Sequence, residues 1–318
     1  MTDNKTLTNK IDFAVIISVY GANPNGDPLN GNRPRQTYDG YGEISDVCLK
    51  RKIRNRLQDM GESIFVQSDD NRAPGDDFRS LNDRFSAAVN KWKKEVEEKK
   101  IESVDTRNNA PKEWFDVRAF GQVFAFKKKG SGKENKDTEN SEENADAVSV
   151  GIRGPVTIQS AFSIDPITPD SLQITKSVNL ETEKNPDKKG ADTMGMKHRV
   201  DKGTYVTYGA INTQLAGKTG FSDADAEKIK LALQTLFVND VSSARPEGSM
   251  DVQRVIWWQH NSPSGQYSSA RVHRALRELL ESNKDGTYDS RKLAEDLSGL
   301  EMQELDSLEG DALQRLYD

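Results

Sequence analysis

Ile11-Asp-Phe-Ala-Val-Ile-Ile-Ser-Val-Tyr20 passes without a break into Gly21-Ala-Asn-Pro-Asn-Gly-Asp-Pro-Leu-Asn-Gly-Asn-Arg-Pro-Arg35. The first segment is apolar and rich in β-branched residues, the pattern of a strand buried on both faces. The second, continued to Gly42, is crowded with Gly, Asn and Pro and must be loop. Ser45 then opens a helix in which Leu49, Ile53, Leu57 and Met60 form an apolar stripe, and Gly61 ends it.

Outward from this start, residues 67–113 read as an insertion centred on a charged amphipathic helix near Phe78 to Lys99. Trp114 to Phe126 is apolar and is expected to be helical. Residues 127–146 are low in complexity and highly polar. They cannot bury enough apolar surface to order themselves, so a disordered loop is expected. Val148 to Ile164 reads as a strand with a Gly-rich break, and Thr204 to Gln214 as another. The polar stretch 165–203 between them is therefore an excursion, an extended hairpin. Ser222 with Asp225 makes a capping-box-like start for a helix to about Asn239. Val252 to His260 is a strand, and Ser268 to Ser282 a helix. Without the insertions the order is βαββαβ, an α+β, ferredoxin-like pattern. That pattern serves unrelated functions, and the stacking-aromatic consensus of RNA-recognition domains is absent.

The 318 residues carry a formal net charge of -6, which by itself argues against a nucleic-acid binder. The charge is uneven, however. Glu278 to Asp318 holds 12 acidic and 4 basic residues, a net of -8, so the rest of the chain is at +2. Arg33 to Arg56 holds 7 basic and 3 acidic residues, a net of +4. Local field, not total charge, steers a polyanion. A single cysteine, Cys48, excludes an internal disulfide framework and a cysteine zinc site. No apolar run approaches the ~20 residues of a membrane span, and the polar start lacks a signal-peptide core. A cytoplasmic protein with no membrane partner is expected.

The loop after the first strand is the most informative stretch. Glycines let a ligand approach the backbone and expose N–H groups to phosphate oxygens, and Arg33 and Arg35 add charge. Composition alone leaves an ordinary turn-rich loop open. A calcium-loop reading of Asn23, Asn25 and Asp27 fails, because the terminal Glu is missing. On the following helix Lys50 and Arg54 share one flank, and Lys52 and Arg56 the other. Either could be a positive rail for a phosphate chain, or a solvated face. His198, His260 and His273 are far apart in sequence, without metal-ligand spacing, and read as structural. No nucleotide-binding or hydrolase fingerprint occurs.

Four motifs in order carry a family resemblance: Asn23-Pro-Asn-Gly-Asp-Pro28, Asp116-Val-Arg-Ala-Phe-Gly121, Gly151-Ile-Arg-Gly-Pro155 and Asn239-Asp-Val-Ser-Ser-Ala-Arg-Pro246. Together they resemble the backbone subunit of CRISPR Cascade complexes, within the RAMP superfamily. The nearest likeness is the type I-C branch, with type I-B its neighbour, over about residues 10 to 280.

The resemblance implies an RRM-like palm (1–66, 114–164, 204–280), a helical finger insertion (67–113) and an extended thumb hairpin (165–203), with an acidic tail at 281–318. It implies copies stacking along a CRISPR guide RNA that pairs with target DNA. On the resemblance, each thumb would displace one base at a regular interval. It also implies other Cascade subunits, namely a guide-processing or cap subunit and a large PAM-recognising one. Guide contacts would fall on Asn25, Arg33, Arg35, Lys50, Arg54, Arg153 and Arg245, with Met194 and Met196 in the thumb. No cofactor, metal or catalytic residue is implied. The competing expectation is a metal-dependent ribonuclease of the related type III kind, using Asp27.

Overall fold

The apolar run at the start of the chain forms β1 (Ile11–Ala22), and side chains on both of its faces are buried. The computed structural model describes residues 5–99, 105–125, 149–175, 194–283 and 286–308. The loop after β1 holds β2 (Gly26–Asp27), β3 (Arg33–Pro34) and β4 (Tyr41–Ile44). Next come α1 (Asp46–Asp59), α2 (Leu81–Lys99), α3 (Thr106–Glu113) and α4 (Phe115–Phe120). Five strands follow: β5 (Gly121–Phe124), β6 (Val150–Arg153), β7 (Val156–Ile158), β8 (Ala161–Pro166) and β9 (Pro169–Thr175). The chain continues through β10 (Met194–Ile211), α5 (Thr213–Thr219), α6 (Asp223–Gln234), β11 (Met250–Gln259), α7 (Ser269–Glu281), α8 (Ser290–Asp296) and β12 (Glu301–Leu305).

The fold is mixed α+β around an antiparallel sheet in the order β12-β11-β1-β10-β8-β4, with β7 and β9 also on β10. Alternation along β1 sends Phe13, Val15 and Ile17 to one face, where they meet Leu49, Ile53 and Leu57 of α1 and Ile229 and Leu233 of α6. Ala14 and Ile16 point the other way, onto Val272 and Leu276 of α7 and Leu293 of α8. A sheet covered on both faces explains why β1 has no polar alternation. Each fully buried large side chain contributes about 1.5–3 kcal/mol. A third, largely aromatic core stands apart: Phe65, Trp92, Trp114 and Phe124 close over the inserted helix α2, with Phe65 and Trp114 rings 4.6 Å apart.

Several expectations are revised. Trp114 to Phe126 is not one helix: α4 stops at Phe120, and Gly121 turns the chain into β5, paired with β6. Gly121 has φ +78, and a Cβ there would lie 2.3 Å from the Ile152 carbonyl oxygen. The acidic stretch after residue 280 adds α8 and β12, and β12 extends the sheet beside β11. The α6 helix ends at Gln234, short of Asn239, whose φ is +60. The polar stretch 127–146 and the tip of the 165–203 excursion lie outside the described residues. The described arms of that excursion, β9 and the first part of β10, pair from Met194–Thr175 to Val200–Pro169.

The histidines are not all isolated. Asp12, fully buried in β1, accepts from His260 Nε2 at 2.8 Å and from Lys10 Nζ at 2.9 Å, and His273 Nε2 is 3.7 Å away. His260 Nδ1 accepts the Gln266 N–H at 2.9 Å, so its Nε2 carries the proton that Asp12 receives. Burial alone would raise the Asp12 pKa. Hydrogen bonds from His260, Lys10 and Ser269 outweigh that and hold it below the usual carboxylate range. The network fastens α7 and the end of β11 to β1, and spacing along the chain gives no hint of it.

Candidate nucleic-acid interface

The loop after β1 is held open as a shaped surface by its own polar groups. β2 and β3 pair across a 3-10 turn at Pro28–Asn30, which Asp27 caps by accepting the Leu29 N–H at 3.2 Å. Asn23 Nδ2 donates to the Asn32 carbonyl at 2.8 Å. Asn25 Oδ1 accepts from both the N–H and the hydroxyl of Ser45, each at 2.9 Å, while Ser45 caps α1. Asn25 therefore clamps the loop to the helix start, and its carbonyl oxygen faces inward.

Arg33 is exposed and forms no ion pair among the described residues. Arg35 is half-buried, with Nη2 3.7 Å from Asp27 Oδ1 and Nε left without a partner. The segment 239–246 packs beside this loop, since the Asn23 N–H donates to the Ala244 carbonyl at 2.9 Å. In that segment Asp240 pairs with Arg245 at 3.0 Å and with the buried Lys52 of α1. Cys48 lies among Lys52, Arg245, Asp240 and Arg35. Burial pushes its thiol up despite those three cations, and burial likewise lowers the Lys52 pKa, opposed by Asp240. A cleft of about 450 Å³ opens here, lined by Cys48, Lys52, Asn55, Asn71, Ser242 and Arg245 among others.

The flanks of α1 do not stand open as rails. Leu49, Ile53 and Leu57 face the core as their spacing requires, but Lys52 and Arg56 are only 3% and 1% exposed. Arg56 bonds Asp59 and Thr235. On the other flank Arg54 pairs at 2.9 Å with Asp116, which also accepts the Phe65 and Val66 N–H groups. Lys50 pairs with Asp46 one turn back, at 3.0 Å. Lys52 and Arg54 are met by acids from distant segments, invisible to a helical wheel. Asp116 and Asp240 were thus missed by sequence reasoning, although each lies inside a quoted motif.

Met194 and Met196 share one face of the β9–β10 hairpin, both exposed. His198 follows on the same face, bonded to Ser171, and Gln173 reaches the Met194 sulfur at 3.3 Å. Arg153 is elsewhere. It ends β6 near Val156, opposite Ile211, which pairs with Ile11 at the start of β1. Arg33, Arg35 and Arg245 gather at the other end of that strand. Among the described residues there is no group of three or more His, Cys, Asp or Glu placed to hold a metal, and no helix long and apolar enough to cross a membrane.

Guanidinium groups, an open cleft and a polar loop suit the holding of phosphate oxygens. The family model for CRISPR-associated protein Cas7 matches residues 9–300. The chain belongs to the Cas7 family. A CRISPR-associated protein Cas7 from Haloferax volcanii is 24% identical, over 92% of this chain and 84% of its own length. Two solved structures are similar at 14% identity. One, a CRISPR RNA-guided surveillance complex in a pre-nicking state, has a TM-score of 0.45 over 91% of this chain and 86% of its own. The other, a CRISPR RNA-guided surveillance complex, has a TM-score of 0.43 over 93% and 87%.

Proposed function

We propose that this member of the Cas7 family is a non-catalytic backbone subunit of a type I Cascade complex, nearest the I-C branch, in the cytoplasm. It oligomerises along a CRISPR guide RNA and presents that guide for pairing with target DNA. The observation that carries the reading is the gathering of Arg33, Arg35 and Arg245 around the loop clamped by Asn25, beside an open cleft. A guide must be held without being read, because pairing supplies the sequence information. Phosphate contacts from arginine and backbone N–H groups meet that need.

We read the sheet core, in which β11, β1, β10 and β8 lie side by side with α1 and α6 on one face, as ferredoxin-like. We take it as the palm, residues 67–113 as fingers and 165–203 as thumb. Met194 and Met196, exposed together on one face of the thumb, are the side chains available to wedge beside a displaced base. Lys50 and Arg54 contact the guide in this reading only by exchanging their present partners, Asp46 and Asp116, for phosphate. Asp27 caps a turn and faces Arg35, which favours a structural carboxylate over a catalytic one.

The test is the salt dependence of single-stranded RNA binding. With Arg33→Ala, Arg35→Ala and Arg245→Ala combined, the log–log slope should fall by about 2, at about 0.7 for each lost phosphate contact. The loss should be equal for two unrelated sequences. A loss confined to one sequence would reject backbone holding.

A further inference from the structure

We propose that a second cleft, at the end of the sheet remote from Arg245, binds a phosphodiester backbone through Arg107, Lys112, Arg153 and Lys218. The inference rests on the nucleic-acid-binding reading above and adds a separate site to it. Arg107 and Lys112 project from α3, Arg153 ends β6, and Lys218 lies in the last turn of α5. Arg107 and Lys218 line two adjoining hollows, one shared with Arg153 and one of about 570 Å³ shared with Lys112.

All four side chains are exposed, and none forms an ion pair among the described residues. Among the described residues, the acids nearby are already engaged. Asp225 receives Arg118 through two bonds, at 3.0 and 2.9 Å, and also caps its own helix. Asp105 caps α3 and takes the Asn108 side chain at 2.6 Å. Glu113 holds Lys91 at 2.9 Å. Four cations around two hollows that share Arg107 and Lys218, with the described neighbouring acids occupied, make a local positive field in a chain whose net charge is negative. At the mouth, a Cβ added at Gly151 or Gly217 would meet nothing within 4 Å, so a ligand can come close to the backbone.

The cleft cannot be part of the Arg33–Arg245 site. Arg153 sits near the Ile11 end of β1, and Ala244 is bonded to Asn23 just past the Ala22 end. With 12 residues in β1, at about 3.3 Å each the two sites are roughly 36 Å apart. At about 3.4 Å per phosphate along a stacked strand, roughly ten nucleotides separate them. The cleft therefore takes either a distant part of the bound strand or a second strand. The chemistry recognised, phosphate oxygens in series, is the same for both.

The test uses the full chain and an RNA strand of about 20 nucleotides, longer than the separation. Combining Arg107→Ala, Lys112→Ala and Lys218→Ala should lower the salt slope by about 2 while leaving the thermal melt unchanged. A charge-keeping form, Arg107→Lys with Lys218→Arg, should retain the parent slope. A loss seen with the single strand alone assigns the cleft to the continuation of that strand. A loss seen only after a complementary strand is annealed assigns it to the second strand. If the parent binds RNA through Arg33, Arg35 and Arg245 but the triple variant keeps its slope, the cleft proposal falls and the guide-binding reading stands. If the triple variant changes only the mass of RNA-free particles, the cleft is a protein contact and the proposal also falls. A parent that binds no strand at any salt removes both.

Discussion

Asp240→Ala offers a sharp test of how the interface is built. Asp240 is the shared anion of two cations, Lys52 and Arg245. Lys52 is 3% exposed, with the Phe237 ring 5.4 Å from its ammonium. Removing the carboxylate leaves that ammonium buried and uncompensated, a loss of about 3–5 kcal/mol. Against a typical total of about 5–15 kcal/mol this is a large fraction. With a urea dependence of about 3 kcal/mol per molar, the unfolding midpoint should drop by about 1–1.7 M. Arg245 is 26% exposed at its side chain, so its loss of partner adds little. Adding Lys52→Met should therefore recover most of the loss, leaving a coupling of about 2–4 kcal/mol in a double-mutant cycle. Urea titrations followed by circular dichroism measure all four corners. A single-variant cost below about 1 kcal/mol, or a double variant no better than the single, would refute the argument that this pair is a compensated buried charge.

Gly121→Ala should cost about 1–3 kcal/mol or more, because positive φ and the Ile152 carbonyl both oppose a Cβ; a thermal melt reads it. Burial lowers the His273 pKa below the ordinary 6.5, opposed by Asp12. The folded chain then binds fewer protons there than the unfolded one. Stability should fall as pH drops below about 6.5, until the folded pKa is passed; His273→Gln should flatten that part of the profile in pH-dependent urea titrations. Asp27→Ala should leave RNA cleavage at background in a gel assay with divalent metal, and metal-dependent cutting by the parent that this change abolishes would restore the nuclease alternative. Replacing residues 176–193 by a short Gly-Ser linker should keep single-subunit RNA binding but stop particle mass from rising in steps with RNA length, as light scattering can show.

Where local chemistry decides structure, the sequence is an open text. Ser45, Ser222 and Ser268 each read as a helix start, and each caps one. The Ser222–Asp225 capping box is present in full. The unbroken apolar run of β1 announces a strand covered on both sides. What escapes notice depends on partners far along the chain. Arg54 and Lys52 look like free surface charge until Asp116, 62 residues away, and Asp240, 188 residues away, arrive beside them. Asp12 within an apolar strand is the one visible signal of the histidine network, since a carboxylate is seldom buried without a partner. Trp114 to Phe126 misleads because its apolar content suits a helix or a strand equally, and only the crowding at Gly121 chooses. The separation of Arg153 from Arg245 needs the register of β1 against β10, which no motif encodes.

That register has a mechanical consequence. β10 is a single strand of 18 residues. Its first half is paired with β9 in the hairpin, its second half is laced to β1, and Val200 is bonded into both ladders. Gly203, three residues past the crossing, is itself held in the ladder opposite Val19. A load on Met194 or Met196 is carried along continuous backbone into the centre of the sheet. The hairpin base is thus a gauge of fixed length, about 3.3 Å per residue. An interval measured out by such a part can be altered by inserting residues in register pairs, but not by bending it.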